Sequence, residues 1–140
     1  MPGILPDVNI EGHFRILLRL LNEDWREELW NWLNWRTPAF KDLGLSANSS
    51  DSIVWKRCQA EELVLFTGNR NQNDLDSLET VIRTLNTFDS FPVFTLGNPK
   101  RFLVDRQYAA LVADQLLEYA FEIDHHRGTG RIFLPKSDAR

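Results

Sequence analysis

Apolar residues recur at helical spacing along Ile10, Phe14, Leu17, Leu18 and Leu21, which predicts an amphipathic helix. Ahead of it, Ile4-Leu5-Pro6 is a short apolar run closed by proline and reads as a first strand. Asp7-Val8-Asn9 falls at the junction between the two. The segment Trp25–Trp35 predicts a second helix, with Trp25, Leu29 and Trp32 on one face and Trp30 and Leu33 beside or across from it. Aromatics on more than one side require more than one packing partner. Three readings stand: a helix on the core with an exposed outer rim, a homodimer contact through Trp25–Trp35, or a stacking platform for RNA bases.

Further along, Thr37 to Leu45 reads as a loop with a short edge strand. Ala47-Asn-Ser-Ser-Asp-Ser is a helix start, with Ser49 or Ser50 as cap and Asp51 in the first turn. That helix runs to about Glu61 and turns Val54, Trp55 and Cys58 inward. Leu63–Phe66 is a second strand, ended by Thr67-Gly68 and followed by the polar cluster Asn69-Arg-Asn-Gln-Asn-Asp74. Leu75, Leu78, Ile82 and Leu85 then mark one helical face, with Asp76 and Glu79 at capping-box spacing. Phe91–Leu96 is a third strand, closed by Gly97-Asn98-Pro99. A long helix follows from about Asp105 to Ile123, with Tyr108, Leu111, Val112, Leu116, Tyr119 and Ile123 as its apolar stripe. The polar turn Asp124–Arg131 leads to a last strand, Arg131–Pro135. Residues 1–135 are read as a single domain and 136–140 as a frayed tail.

Strands alternating with helices predict an α/β class with a mostly parallel central sheet. Such sheets bind ligands at the carboxyl ends of their strands. That edge would gather Asp7, the 69–76 loop and Asn98, and Asp51 could reach it from its helix start.

Composition narrows the function. The chain has 140 residues, 43% of them hydrophobic, and a formal net charge of -4. That balance argues against coating duplex DNA by bulk electrostatics and leaves room for a local basic patch that holds RNA. The lone cysteine, Cys58, excludes an internal disulfide and suits a reducing compartment. No apolar run approaches the roughly 18 residues of a membrane span, and the N-terminus carries no signal-peptide pattern. The expectation is a cytoplasmic protein with no membrane association.

Asp7, Asp51, Asp74 and Asp76 are the candidate carboxylates. Convergent carboxylates hold Mg²⁺ or Mn²⁺, because hard cations take anionic oxygen ligands, and such an ion can activate water against a phosphodiester. Asn9, Asn69 and Asn71 can add neutral oxygens or bond a phosphate. Each carboxylate also has a structural alternative: Asp76 and Asp74 as helix caps, Asp51 as a partner of the helix dipole, Asp7 as a turn closer. Cys58 reads as a small core residue rather than a nucleophile. Adjacent His125 and His126 cannot face one metal as an i, i+4 pair would, and His13 lies on a polar helix face. Gly128-Thr-Gly-Arg131 precedes a strand instead of opening a helix, so it is a weak phosphate signal. Arg70, Lys100, Arg101, Arg106, Arg127 and Arg131 fall on or beside predicted loops, where they meet a nucleic-acid backbone or form a solvated rim.

Leu5-Pro-Asp7-Val-Asn9, Asp42-Leu-Gly-Leu45, Ser50-Asp51-Ser-Ile53 and Leu63-Val-Leu-Phe-Thr-Gly-Asn69-Arg-Asn71 follow one another in an order that resembles the short prokaryotic PIN-like proteins, relatives of toxin-type PIN ribonucleases. The resemblance spans roughly residues 4–74. It implies a three-layer α/β/α domain in which acidic residues hold Mg²⁺ or Mn²⁺ for RNA cleavage, and an antitoxin-type protein as partner. Asp7 matches the first acidic position, Asp51 the helix-start acidic position and Thr67 the threonine at the strand end. Where the family pattern has Thr-x-Asp-x-Asp, this chain has Thr67-Gly-Asn69-Arg-Asn71, so two ligand charges are missing. The resulting expectation is a metal-dependent endoribonuclease with Asp7, Asp51 and Asp74 as catalytic and metal-binding carboxylates. Asn9, Thr67, Asn69, Arg70 and Asn71 would contact substrate. The alternative is a PIN-like binding or regulatory protein without catalysis. A response-regulator-like reading needs a lysine at the end of a late strand, and Phe91–Leu96 ends without one.

Overall fold

A computed structural model describes residues 2–68 and 77–136. Within them four strands, β1 (Gly3–Pro6), β2 (Leu63–Thr67), β3 (Val93–Leu96) and β4 (Arg131–Leu134), lie side by side in chain order. All neighbours are parallel, so every carboxyl end points to one edge. The first three strands are buried at every position, which explains why they read as continuous apolar runs rather than alternating ones. Among the described residues six α-helices cover the sheet: α1 (Glu11–Leu21), α2 (Arg26–Leu33), α3 (Asp51–Ala60), α4 (Leu78–Leu85), α5 (Pro99–Val104) and α6 (Arg106–Phe121).

Alternate strand residues feed two separate cores. Ile4, Val64, Phe66, Phe94 and Ile132 pack under α1, α2, α5 and α6. Leu5, Leu65 and Val93 pack under α3 and α4. The result is the expected three-layer α/β/α arrangement. Among the described residues no helix is long and apolar enough to cross a membrane.

Polar groups fix the layers in register. Arg26 on α2 donates to Asp114 on α6 at 2.7 Å, with its guanidinium largely buried. The Gln59 side chain donates to the Phe91 carbonyl at 3.0 Å and accepts from the Phe91 N–H at 2.9 Å, tying α3 to the approach to β3. Gly3 must be glycine, since a Cβ there would stand 2.6 Å from the Arg36 carbonyl and 2.7 Å from Leu63.

Several elements depart from the pattern-based reading. The expected edge strand within 37–45 is a 3₁₀ turn, Phe40–Leu43, and strand-like pairing is limited to one bridge between Gly3 and Arg36. Pro99 does not only stop β3: it opens α5, capped by Asn98, whose side chain accepts from Arg101 N–H at 3.0 Å. Proline suits a first helical position because its missing N–H has no intrahelical partner there. Asp105 then caps α6, accepting from Gln107 and Tyr108. The helix ends at Phe121, and Ile123–His126 is a 3₁₀ turn. On α6, Leu111 is exposed, while Ala109, Ala113, Leu117 and Ala120 join the buried face. The small alanines let α6 lie close to its neighbours, a role that a count of large apolar residues overlooks. The cap of α4 is Ser77, accepting from Thr80 N–H at 3.2 Å. Asp76, which has the capping-box spacing, lies outside the described residues.

The tryptophan helix divides sharply. Trp30 is buried and meets Trp35 edge-on at 6.3 Å, whereas Trp25 and Trp32 are 59% and 75% exposed. The exposed Trp32 ring stacks on Phe121 of α6, 5.5 Å between centroids and 10° from parallel.

Candidate functional site at the carboxyl edge of the sheet

Each of the first two strands ends in a polar side chain on the α3/α4 face. Asp7 follows β1, and its carboxylate accepts a hydrogen bond from the Thr67 hydroxyl at the end of β2, 3.0 Å away. Asp7 stands where a residue could cap the 3₁₀ turn Val8–Ile10, yet its side chain makes no capping bond. Its backbone closes the turn through Ile10 N–H while the carboxylate faces along the sheet edge. The turn-closing alternative therefore accounts for the backbone of Asp7 and not for its side chain.

Asp51 reaches the same place from the first turn of α3, where Ser50 is the cap. Burial pushes its acid up from the ordinary carboxylate range, and the negative charge of Asp7 pushes it the same way. The Leu78 N–H at the start of α4 and the Arg131 guanidinium act in the opposite sense. Asp51 thus lies between two helix N-termini and close enough to Asp7 for the two charges to repel. Of the expected site residues, Asp7, Asp51 and Thr67 are brought together. Asn69, Arg70, Asn71 and Asp74 lie outside the described residues. Asn9 is exposed in the 3₁₀ turn and lines a cleft with Asp7, His13, Gly68 and Pro99.

Three further members were not singled out as site residues from sequence. Thr95, fully buried on β3, sits beside Thr67 in the sheet register. Its hydroxyl oxygen accepts from Arg131 at 2.7 Å. Arg131 also donates to Glu79 of α4 at 3.1 Å. Arg131 was expected among loop cations that meet a nucleic-acid backbone or form a solvated rim; instead its side chain is 7% exposed beneath α4. A signal for this existed in the pattern: Arg131 and Phe133 occupy alternate positions of a short strand, so a cation opening that strand shares the Phe133 face.

Other candidates resolve into structural roles. Cys58 is buried in the α3 core, and desolvation pushes its thiol up to about 12, with the Asp7 charge adding to the shift. The Gly128 and Thr129 N–H groups are spent on Ser90 and His126 carbonyls, so they are not aimed at a phosphate. The Gly128 carbonyl accepts from Asn86 at 2.8 Å, and a Cβ at Gly128 would meet Phe88 backbone at 2.9 Å. His126 packs its ring edge-on against Tyr119. His13, placed on a polar helix face by its spacing, is half-buried, tilts against Phe102 and bonds the Pro99 carbonyl through Nε2 at 3.2 Å. Arg101 and Arg127 are held by Asp105 and Asp124.

As a donor set for a hard divalent cation, Asp7 and Asp51 offer two anionic oxygen groups whose mutual repulsion a cation would relieve. Among the described residues no group of three or more His, Cys, Asp or Glu is placed to hold a metal ion. Neither a protein-family model, nor a curated protein, nor a solved structure matches the chain.

Proposed function

We propose that this chain is a PIN-like, Mg²⁺- or Mn²⁺-dependent endoribonuclease whose working edge is the carboxyl end of the parallel sheet. The observation that carries the reading is the convergence of Asp7 and Asp51, from two separate elements, into one electrostatically coupled pair. A partly buried carboxylate with a raised acid, as Asp51 is, at the carboxyl edge of a parallel sheet is a functional-site candidate.

In this reading Asp7 and Asp51 are the metal-binding carboxylates, with Asp74 as the third. A bound divalent ion would supply a polarised water and offset charge on the scissile phosphate. The chain's own groups do the positioning. Thr67 holds one Asp7 oxygen by its hydroxyl and so orients the other. Leu78 N–H does the same for Asp51. Asn9, Asn69, Arg70 and Asn71 are assigned to the RNA strand. The exposed Trp25, Leu29 and Trp32 face supports a homodimer contact, and an antitoxin-type partner and a cytoplasmic location belong to the same proposal.

The second reading, a non-catalytic PIN-like regulatory protein, is favoured by Asn69 and Asn71 standing where the family pattern has aspartate. Calorimetric titration with Mn²⁺ separates the two. Binding in the wild type that disappears in Asp7→Asn and Asp51→Asn supports the nuclease reading. Absence of binding in all three sinks it in favour of the regulatory one.

A further inference from the structure

Beside the acidic edge, a groove of about 530 Å³ runs between α1 and the 37–45 segment. Pro6 and Glu11 line the end next to Asp7; Phe14 and Phe40 form an apolar floor; Arg15 and Lys41 stand on opposite walls. Among the described residues Arg26, Arg36, Arg101, Arg127 and Arg131 sit in ion pairs. Arg15 and Lys41 are exposed and pair with no carboxylate among the described residues. The groove thus carries two uncommitted cations, one from each wall, over an apolar floor on a chain of formal net charge -4.

We infer that this groove is the track for a single-stranded polynucleotide, with Arg15 and Lys41 on its phosphates and the apolar floor under a base. The inference rests on the nuclease reading for its orientation toward Asp7, and it names the substrate form that the acidic edge would receive. The volume falls within the roughly 300–1,000 Å³ of pockets that hold small organic ligands, which suits a nucleotide unit. Charge selects the occupant. The groove offers two cations against the single carboxylate of Glu11, so it attracts an anionic strand although the chain's formal net charge is -4. A single strand is favoured over a duplex because an apolar floor rewards an unpaired base with a free face, whereas a duplex presents its phosphates outward.

The test is fluorescence anisotropy of a labelled eight-nucleotide RNA with the full chain, in EDTA so that no divalent ion supports cleavage. The variants are Arg15→Gln/Lys41→Gln, Asp7→Asn, and the charge-matched control Lys56→Gln/Arg83→Gln, whose side chains lie on the exposed faces of α3 and α4. The groove variant is expected to bind about tenfold more weakly, with its log–log salt slope reduced by about 1.4, since each single-strand phosphate contact contributes about 0.7. Asp7→Asn should bind as tightly as wild type or tighter. The inference is overturned if wild type does not bind, if the groove variant matches wild type, or if the control loses as much, which would make the effect bulk charge. The two readings fail separately. Groove-dependent binding without cleavage in Mn²⁺ removes the nuclease and keeps the track. Asp7-dependent cleavage untouched by the groove variant keeps the nuclease and removes the track.

Discussion

Removing the buried guanidinium of Arg131 should be among the costliest single changes at the acidic edge. Arg131 is 7% exposed, donates to Glu79 at 3.1 Å and to Thr95 at 2.7 Å, and faces Asp51. At 3.1 Å and an effective dielectric of about 20, its attraction to Glu79 is about 5 kcal/mol gross. Desolvation of the guanidinium cancels most of that, so the intact pair is worth little net. Breaking it is another matter, because the surviving partner keeps its burial cost. Arg131→Met leaves Glu79, Asp51 and the Thr95 hydroxyl without this cation. Breaking buried pairs costs about 3–5 kcal/mol, and Glu79, at 25% exposure, can regain some water, so the loss should be about 3 kcal/mol. Glu79→Gln should cost less, about 1–2 kcal/mol, because the amide still accepts from Arg131. The double variant should fall short of the summed losses by about 1–2 kcal/mol. Urea melts at pH 7 with unchanged m-value are the assay. A loss under about 1 kcal/mol for Arg131→Met, or strict additivity of the two losses, would refute the view that Arg131 holds α4 onto the sheet edge.

Asp51→Asn should stabilise the fold near neutral pH and lose that advantage in acid. The folded-state acid of Asp51 lies above its ordinary value, so the native state binds the extra proton. Its contribution is fully present below the unfolded pKa and is lost as pH rises through the raised one. Melts at pH 3.5 and pH 7 should show the variant's gain only at the higher pH; an equal difference at both would contradict the shift. Cys58, with its thiol pushed to about 12, should react with Ellman's reagent at pH 8 only as fast as the chain unfolds; immediate labelling of the folded protein would refute its burial. Trp30→Ala should cost about 3–5 kcal/mol as a core truncation, against under about 1 kcal/mol for the exposed Trp32→Ala. Equal losses would mean that Trp32 is covered in solution.

The fold was legible because its strands are short apolar runs separated by helices with clear stripes. Ile4-Leu5-Pro6 and Leu63–Phe66 can hardly be anything but buried strands, and Val54, Trp55 and Cys58 show which side of α3 is inward. The pairing of Asp7 with Asp51 was reachable as well, since parallel strands leave few places for a residue that follows β1 and one that opens α3. Other features hid for physical reasons. α5 is too short to show a period, and its proline reads equally as a stop or a start. Arg131 looks like every other loop cation, because burial of a charge depends on partners, Thr95 and Glu79, that lie 36 and 52 residues away in sequence. Trp25 and Trp32 share a helical face that sequence alone cannot turn inward or outward.

The charges along the edge bear directly on the proposed cation. Asp7, Asp51 and Glu79 set three carboxylates against the one guanidinium of Arg131, so among the described residues the cluster keeps two negative charges when fully ionised. A polyanion cannot settle on such an edge unaided, since each phosphate would meet like charge in partly dehydrated surroundings. Either a proton on the elevated acid of Asp51 or a divalent ion has to reduce it. A proton removes one charge and weakens the site as a donor set; a divalent ion removes both and leaves the carboxylates ionised. Arg131 is locked onto Thr95 and Glu79, so it cannot swing out to meet a phosphate. On the proposed nuclease reading, gripping the strand would fall to cations outside the cluster, such as Arg15 and Lys41 in the groove that Pro6 and Glu11 line. The division predicts opposite salt responses: RNA binding through Arg15 and Lys41 should weaken steeply with salt. Mn²⁺ uptake at the half-buried Asp7 and Asp51 should change far less. Equal salt dependence of the two titrations would show that one set of groups does both jobs.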